Sequence, residues 1–191
     1  GYQAGMSVTT GIRNTLIGGL VGDALTTGAR NTAVGYAVMS ADTLGSRNVG
    51  IGYEVLGVQS FGTATDSYNV AVGYRALDSA DGGESNNIGI GTNVMGHINH
   101  DDSDHNVAIG DSALLGGTGT VTKNVAIGSN AMGTGVGNND QTGTVAIGYD
   151  ALYSLTTGAG NLAMGYRSGY AMTTAGQNVA SGYETLRYNE K

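Results

Sequence analysis

Asn106-Val107-Ala108-Ile109-Gly110 returns one unit later as Asn124-Val125-Ala126-Ile127-Gly128, and Asn69-Val70-Ala71-Val72-Gly73 differs from both only by one methylene. A small residue between two β-branched ones has the period of a strand, in which residues i and i+2 share a face. The glycine that closes each stretch recurs at nearly even intervals along the whole chain, at Gly1, Gly18, Gly35, Gly52, Gly73, Gly91, Gly110, Gly128, Gly148, Gly165 and Gly182. Residues 1–191 therefore form one repeat array. A unit this short buries its apolar side only against its neighbours, which is the plan of a solenoid. The predicted fold is all-β, a parallel β-solenoid of about ten coils, each roughly 17–21 residues long. At a coil spacing of about 4.8 Å it makes a rod of roughly 48 Å.

The repeat sorts residues into columns. Val49, Val70, Val107, Val125 and Val145 share a face with Ile51, Val72, Ile109, Ile127 and Ile147, while Gly50, Ala71, Ala108, Ala126 and Ala146 point the other way. β-branched side chains suit a narrow interior and small residues admit another backbone. The expectation is a Val/Ile lumen and an Ala/Gly face that meets a second surface, most simply another copy of the chain. A second short strand is expected after each glycine, at Val55-Leu56, Ala76-Leu77, Ala113-Leu114 and Ala151-Leu152.

Two polar columns accompany the strands. Asn14, Asn31, Asn48, Asn69, Asn87, Asn106, Asn124, Asn161 and Asn178 stand four residues before a glycine, with Thr144 in the same place on one coil. An amide both donates and accepts, so this column reads as a structural ladder between coils. Tyr2, Tyr36, Tyr53, Tyr74, Tyr149, Tyr166 and Tyr183 follow a glycine directly. They suit packing between coils or subunits, or a stripe on which sugars stack.

Composition narrows the function. Charged residues are 12% of the chain, aromatic ones 6%, and there is neither Trp nor Cys. That is too little large apolar material for a conventional core, and it excludes disulfides and thiolate metal sites. Lys and Arg number 8 against 15 acidic residues, a net charge of −7, and they are scattered; a nucleic-acid partner is excluded because phosphate binding needs clustered cations. No apolar run is long enough for a membrane helix. Nothing resembles a Ser-His-Asp triad or a placed carboxylate pair, so no enzyme activity and no cofactor are expected. The chain opens and stops in mid-repeat and reads as a piece of a longer fibre protein.

Function is expected where the coils differ. All the extra residues fall in coils 52–148, and insertions in a solenoid form loops on one side, often the binding side. The candidate receptor-binding residues are Phe61, Tyr68, His97, His100, Asp101, Asp102, Asp104, His105, Asn138, Asn139 and Asp140. All three histidines, His97, His100 and His105, share one loop with Asp101, Asp102 and Asp104. The set has ligand chemistry for a divalent ion but lacks any standard spacing, and a solvated loop has the same composition.

The Asn106-Val107-Ala108-Ile109-Gly110 unit resembles the head repeat of trimeric autotransporter adhesins. The longer unit, as in Asn31-Thr32-Ala33-Val34-Gly35-Tyr36 and Asn161-Leu162-Ala163-Met164-Gly165-Tyr166, resembles repeats of bacteriophage tail fibres more closely. The resemblance implies a left-handed β-roll, a homotrimeric fibre and a virion location, with loops presented to a host glycan or protein. The alternative it leaves open is the head of a bacterial trimeric surface adhesin, extracellular and at the cell surface.

Overall fold

The computed structural model describes residues 1–59, 61–63, 65–79, 83–133 and 140–188. Its strands in chain order are β1 (Thr15–Gly19), β2 (Thr32–Tyr36), β3 (Gly45–Ser46), β4 (Val49–Tyr53), β5 (Thr65–Asp66), β6 (Val70–Tyr74), β7 (Ile88–Thr92) and β8 (Val107–Ile109). They continue with β9 (Val121–Thr122), β10 (Val125–Ile127), β11 (Gln141–Thr142), β12 (Val145–Ile147), β13 (Gly158–Ala159), β14 (Leu162–Met164) and β15 (Val179–Ser181). Ten of them stack in parallel as one sheet, β1-β2-β4-β6-β7-β8-β10-β12-β14-β15, and no helix occurs among the described residues. Register follows the repeat, so Val125 pairs with Val107 and Val145, and Ile127 with Ile109 and Ile147. The chain is a β-solenoid.

The two faces of this sheet are reversed relative to the expectation from sequence. Ala33, Ala71, Ala108, Ala126, Ala146 and Ala163 are completely buried and form the lumen, while Ile51, Ile90 and Ile109 on the alternate positions are 37–40% exposed. Neighbouring coils cover the flanks of every side chain, so this exposure marks residues that point outward. The reason is space. A Cβ added at Gly89 would stand 2.6 Å from Leu77 Cδ1, and one at Gly50 2.6 Å from Val38 Cγ1. Leu and Met from the far wall already fill the lumen, so only Ala or Gly fits opposite them.

Those Leu and Met residues correct a second expectation. Val55-Leu56, Ala76-Leu77, Ala113-Leu114 and Ala151-Leu152 lie in turns rather than in strands. Leu56, Leu77, Leu114 and Leu152 take φ of 48 to 51°, and so do Met39 and Met95 within a few degrees. The left-handed region costs a non-glycine residue roughly 1–2 kcal/mol. Full burial of each side chain and coil-to-coil hydrogen bonds, such as Leu56 N–H to Ala76 O at 3.0 Å and Leu77 N–H to Val94 O at 3.0 Å, offset that cost. The second wall is built elsewhere, from the two-residue strands β9, β11 and β13, and β3 with β5.

Asparagines join the two walls. The Oδ1 of Asn31 accepts the backbone N–H of Asn48 at 2.9 Å, and its Nδ2 donates to Gly45 O at 2.9 Å. Asn106 and Asn124 repeat the arrangement, donating to Val121 O at 2.7 Å and to Gln141 O at 2.9 Å. Each amide thus ties the ten-stranded sheet to the start of the second wall and to the next coil, inside a core where unpaired groups are costly.

The anchor glycines sit where no other residue fits. Gly52 and Gly73 have φ of 139° and 138°, and a Cβ on either would strike the carbonyl oxygen of the next anchor.

Candidate functional site

Tyrosines emerge directly after the anchors and form two stacks. Tyr36, Tyr53 and Tyr74 stack at centroid distances of 5.4 and 5.3 Å, and Tyr149, Tyr166 and Tyr183 at 5.4 and 5.1 Å. Inside each stack the ring faces cover one another, leaving edges and hydroxyls outward. The ridge is interrupted in between. The partner of Tyr74 on β7 is Thr92, and Asp111 and Ser129 follow the next two anchors. Tyr74 therefore ends its stack without a ring over its second face.

The residues after the tyrosines carry charge. Arg75 Nε lies 2.7 Å from Asp78 Oδ2 and 3.7 Å from Glu54 Oε2. Asp78 raises the pKa of Arg75 above its ordinary value, first through its charge and then through the hydrogen bond, with smaller contributions from Glu54 and Tyr74. The hydrogen bond to Glu54 and then the charge of that carboxylate raise the Tyr53 hydroxyl. Tyr53, Glu54, Arg75 and Asp78 are therefore one network running from the tyrosine ridge into the turns. Arg167 repeats the design near the other end, 3.1 Å from Asp150 and over the rings of Tyr166 and Tyr170.

Two hollows adjoin this network. One, of about 270 Å³, is lined by Arg75, Asp78, Asn93, His97, Ser112 and Leu115 among others; the second, of about 210 Å³, lies against Ser40, Glu54, Val58, Arg75 and Asp78. Arg75 and Asp78 border both. The first is a polar recess with fixed donors and acceptors, suited to hydroxyl and amide groups.

The residues singled out from sequence are distributed unevenly. His97 lines the larger hollow. His100 uses Nδ1 to accept the Asp102 N–H at 3.2 Å, and His105 is exposed with its backbone N–H on Ser85 O. Asp104 is engaged by Ser85, from the backbone N–H at 2.6 Å and the hydroxyl at 3.1 Å. No group of three or more His, Asp or Glu among the described residues is placed to hold a metal ion. Asp101 and Asp102 are exposed, and Asp140 is exposed while accepting the Thr120 N–H at 2.9 Å. Tyr68 is 46% exposed beneath the Arg47 guanidinium, whereas Phe61 is buried at 2% and does not reach the surface. Asn138 and Asn139 lie outside the described residues.

Glu54, Arg75, Asp78, Asn93 and Ser112 are not among the candidate residues read from the sequence. Asp78 opens one of the insertion-bearing segments, while Glu54, Arg75, Asn93 and Ser112 stand directly after the tyrosine column, and the available signal was the opposite charge of Glu54 and Arg75 at one column position on consecutive coils. No protein-family model, curated protein or solved structure matches the chain. Among the described residues, no helix is long and apolar enough to cross a membrane.

Proposed function

We propose that this chain is a shaft segment of a homotrimeric bacteriophage tail fibre, a rigid spacer on the virion whose insertion-bearing coils face the host surface. The observation that carries this reading is the outward Val/Ile stripe. Ile17, Ile51, Ile88, Ile90, Ile109, Met164 and Val179 are each 37–70% exposed and follow one another along the sheet from β1 to β15. Monomeric soluble proteins rarely expose a continuous apolar patch beyond a few hundred Å². A partner for this stripe must present apolar groups at the same repeat of about 4.8 Å, and a second copy of the solenoid does so. Three copies around an axis, each a left-handed β-roll, is the assembly that the tail-fibre resemblance implies. The copies meet through Val and Ile, and the Ala/Gly column lies within each chain.

Light scattering on the purified chain tests the assembly. A mass three times the 19.2 kDa of one chain is expected, and a stable monomer at micromolar concentration overturns the reading. The Asn124-Val125-Ala126-Ile127-Gly128 unit supports a second reading, the head of a bacterial trimeric surface adhesin. Antibody raised against the chain separates them, labelling tail fibres on virions in the first case and the bacterial surface in the second.

A further inference from the structure

We propose that the interior of the solenoid binds ordered water between the coils that start at Gly35 and Gly52, held by Asp42, Asn48 and Gln59, at a site within each chain that needs no second copy. All three residues are fully buried. Among the described residues, Asp42 Oδ2, Asn48 Nδ2 and both amide atoms of Gln59 have no hydrogen-bond partner, and they are four of the eight buried side-chain atoms without one. The orphaned atoms are thus concentrated rather than scattered. They gather where the array passes from a 17-residue coil to its longest, the 21 residues from Gly52 to Gly73.

The columns of the repeat bring these atoms together. Asp42 and Gln59 each stand seven residues after an anchor, on consecutive coils, where Leu25, Leu155 and Met172 stand on others. Side chains of this column lie against the residue seven places before the next anchor: a Cβ on Gly28 would collide with Leu25, and one on Gly45 with the carboxyl of Asp42. The asparagine of the preceding coil reaches the same residue, Asn14 Nδ2 donating to Gly28 O at 2.8 Å and Asn31 Nδ2 to Gly45 O at 2.9 Å. One coil further on, the same relation sets the Asn48 amide beside Gln59, with Asp42 one coil below. Asn48 Oδ1 accepts the Asn69 N–H at 3.0 Å and the Ser67 hydroxyl at 2.9 Å, but on this longer coil Nδ2 lacks the carbonyl that its counterparts hold.

This mixture of donors and acceptors selects water. Equivalent atoms on neighbouring coils are about 4.8 Å apart, too far for a hydrogen bond but within the reach of one water with two arms of about 2.8 Å. Buried waters typically make about three hydrogen bonds. One that accepts from Asn48 Nδ2 and donates to Asp42 Oδ2 and Gln59 Oε1 meets that number, and a second satisfies Gln59 Nε2. A metal cation would find a single carboxylate and two NH2 groups whose hydrogens repel it. A direct bond between Asp42 and Gln59 would leave Asn48 Nδ2 and one atom of the Gln59 amide orphaned. Asp42 Oδ1 already accepts the Gly45 and Leu44 N–H groups at 2.7 and 3.2 Å, which fixes the carboxyl and leaves Oδ2 for the water.

Magnetic relaxation dispersion of the water oxygen counts long-lived internal waters and tests this on the intact chain. The double variant Asp42→Leu with Gln59→Leu is expected to lose the contribution of at least one water per chain, whereas Asp42→Asn, which keeps shape and polarity, retains it. Leu25 and Leu155 show that the column accepts leucine, and circular dichroism confirms that the variants fold. Gln59→Leu alone is expected to show the same loss and is read where the double variant does not fold. An unchanged count in the leucine variants, or an equal loss in Asp42→Asn, overturns the proposal. Thermal midpoints of the natural chain are compared in potassium, calcium and choline chloride at matched ionic strength. Equal midpoints are expected, and stabilisation by potassium or calcium that Asp42→Asn abolishes overturns water in favour of a cation.

Discussion

The side-chain oxygen of Asn87 accepts both the backbone N–H and the side-chain N–H of Asn106, one coil further along, each at 3.0 Å. The amide nitrogen of Asn87 donates to Ser103 O at 2.8 Å, and both asparagines are fully buried. Asn87→Ala leaves the Asn106 N–H and the Ser103 carbonyl without partners where water does not reach. Each orphaned group costs about 1–3 kcal/mol, so the variant is expected to lose about 2–4 kcal/mol in chemical denaturation. A loss below about 0.5 kcal/mol, the low end for a single net hydrogen bond, contradicts the ladder.

Thr144 is the weak rung. Its hydroxyl accepts the Asn161 N–H at 3.4 Å, against 2.9–3.0 Å for the N–H groups of Asn48, Asn69 and Asn124, each of which donates to the amide oxygen of the asparagine one coil before. Thr144→Asn extends the acceptor toward Asn161 and adds a donor for the facing wall. It is expected to stabilise the chain by about 1 kcal/mol, read as a higher denaturant midpoint with an unchanged slope.

Asp42 occupies a position that Leu25, Leu155 and Met172 fill on other coils, seven residues after an anchor glycine. Gln59 follows it on the next coil; Asp42 Oδ2 and both amide atoms of Gln59 are buried without partners among the described residues. Burial raises the Asp42 carboxyl from 3.8 to about 6, against the opposing N–H groups of Gly45 and Leu44. The folded state thus holds a proton that the unfolded state releases, and stability contributed by this group falls as pH rises from about 4 to about 6. The difference is about 3 kcal/mol. Asp42→Leu removes it. The variant is expected to gain more over the natural chain at pH 7 than at pH 4, measured by thermal melts at both; an equal gain at the two pH values contradicts a buried, neutral carboxyl.

Gly73 and Gly62 make a controlled pair. Gly73 has φ of 138° with the Gly91 carbonyl where a Cβ would stand, whereas a Cβ on Gly62 meets nothing within 4 Å. Gly73→Ala combines strain worth about 1–3 kcal/mol with a backbone collision between coils. It is expected to cost about 3 kcal/mol or more, and Gly62→Ala to stay within about 0.5 kcal/mol. Equal melting temperatures for the two variants would remove the anchor role from Gly73.

The strand and its register are legible because the repeat supplies ten examples of one alternation, and Val125 duly faces Val107 and Val145. Which face points inward is not legible, since Val107 and Ile109 on one side and Ala108 on the other are all apolar. Volume decides between them, and the volume is set by Leu77 and Leu114 across the lumen, whose left-handed backbone their side chains do not announce. The second wall escapes for a different reason. Gly45-Ser46, Val121-Thr122 and Gln141-Thr142 share only a hydroxyl residue at the second position, which is common along the whole chain, and what holds them is the first-position carbonyl bound by an asparagine rather than an apolar pattern. The recess at Arg75 and Asp78 is missed because it needs the turns of three consecutive coils together, with Asn93 and His97 on the second and Ser112 and Leu115 on the third.

Ile127 and Ala126 are neighbours in β10 that face opposite ways, and exchanging their environments tests both the lumen and the association surface. Ile127 pairs with Ile109 and Ile147 on the outward stripe, while Ala126 is fully buried. If three copies associate through this stripe as proposed, Ile127→Lys places a charge in their contact, and an unpaired buried charge costs several kcal/mol. Association is expected to weaken about 100-fold or more, with the mass falling toward 19.2 kDa and the strand signal in circular dichroism retained. Ala126→Val instead adds two methyl groups to a filled lumen. It is expected to lower stability by about 1–3 kcal/mol without altering the mass of the folded species. If the two variants exchange these phenotypes, so that Ile127→Lys unfolds the chain and Ala126→Val only disperses it, the Val/Ile column is the interior and the stripe is not a contact surface.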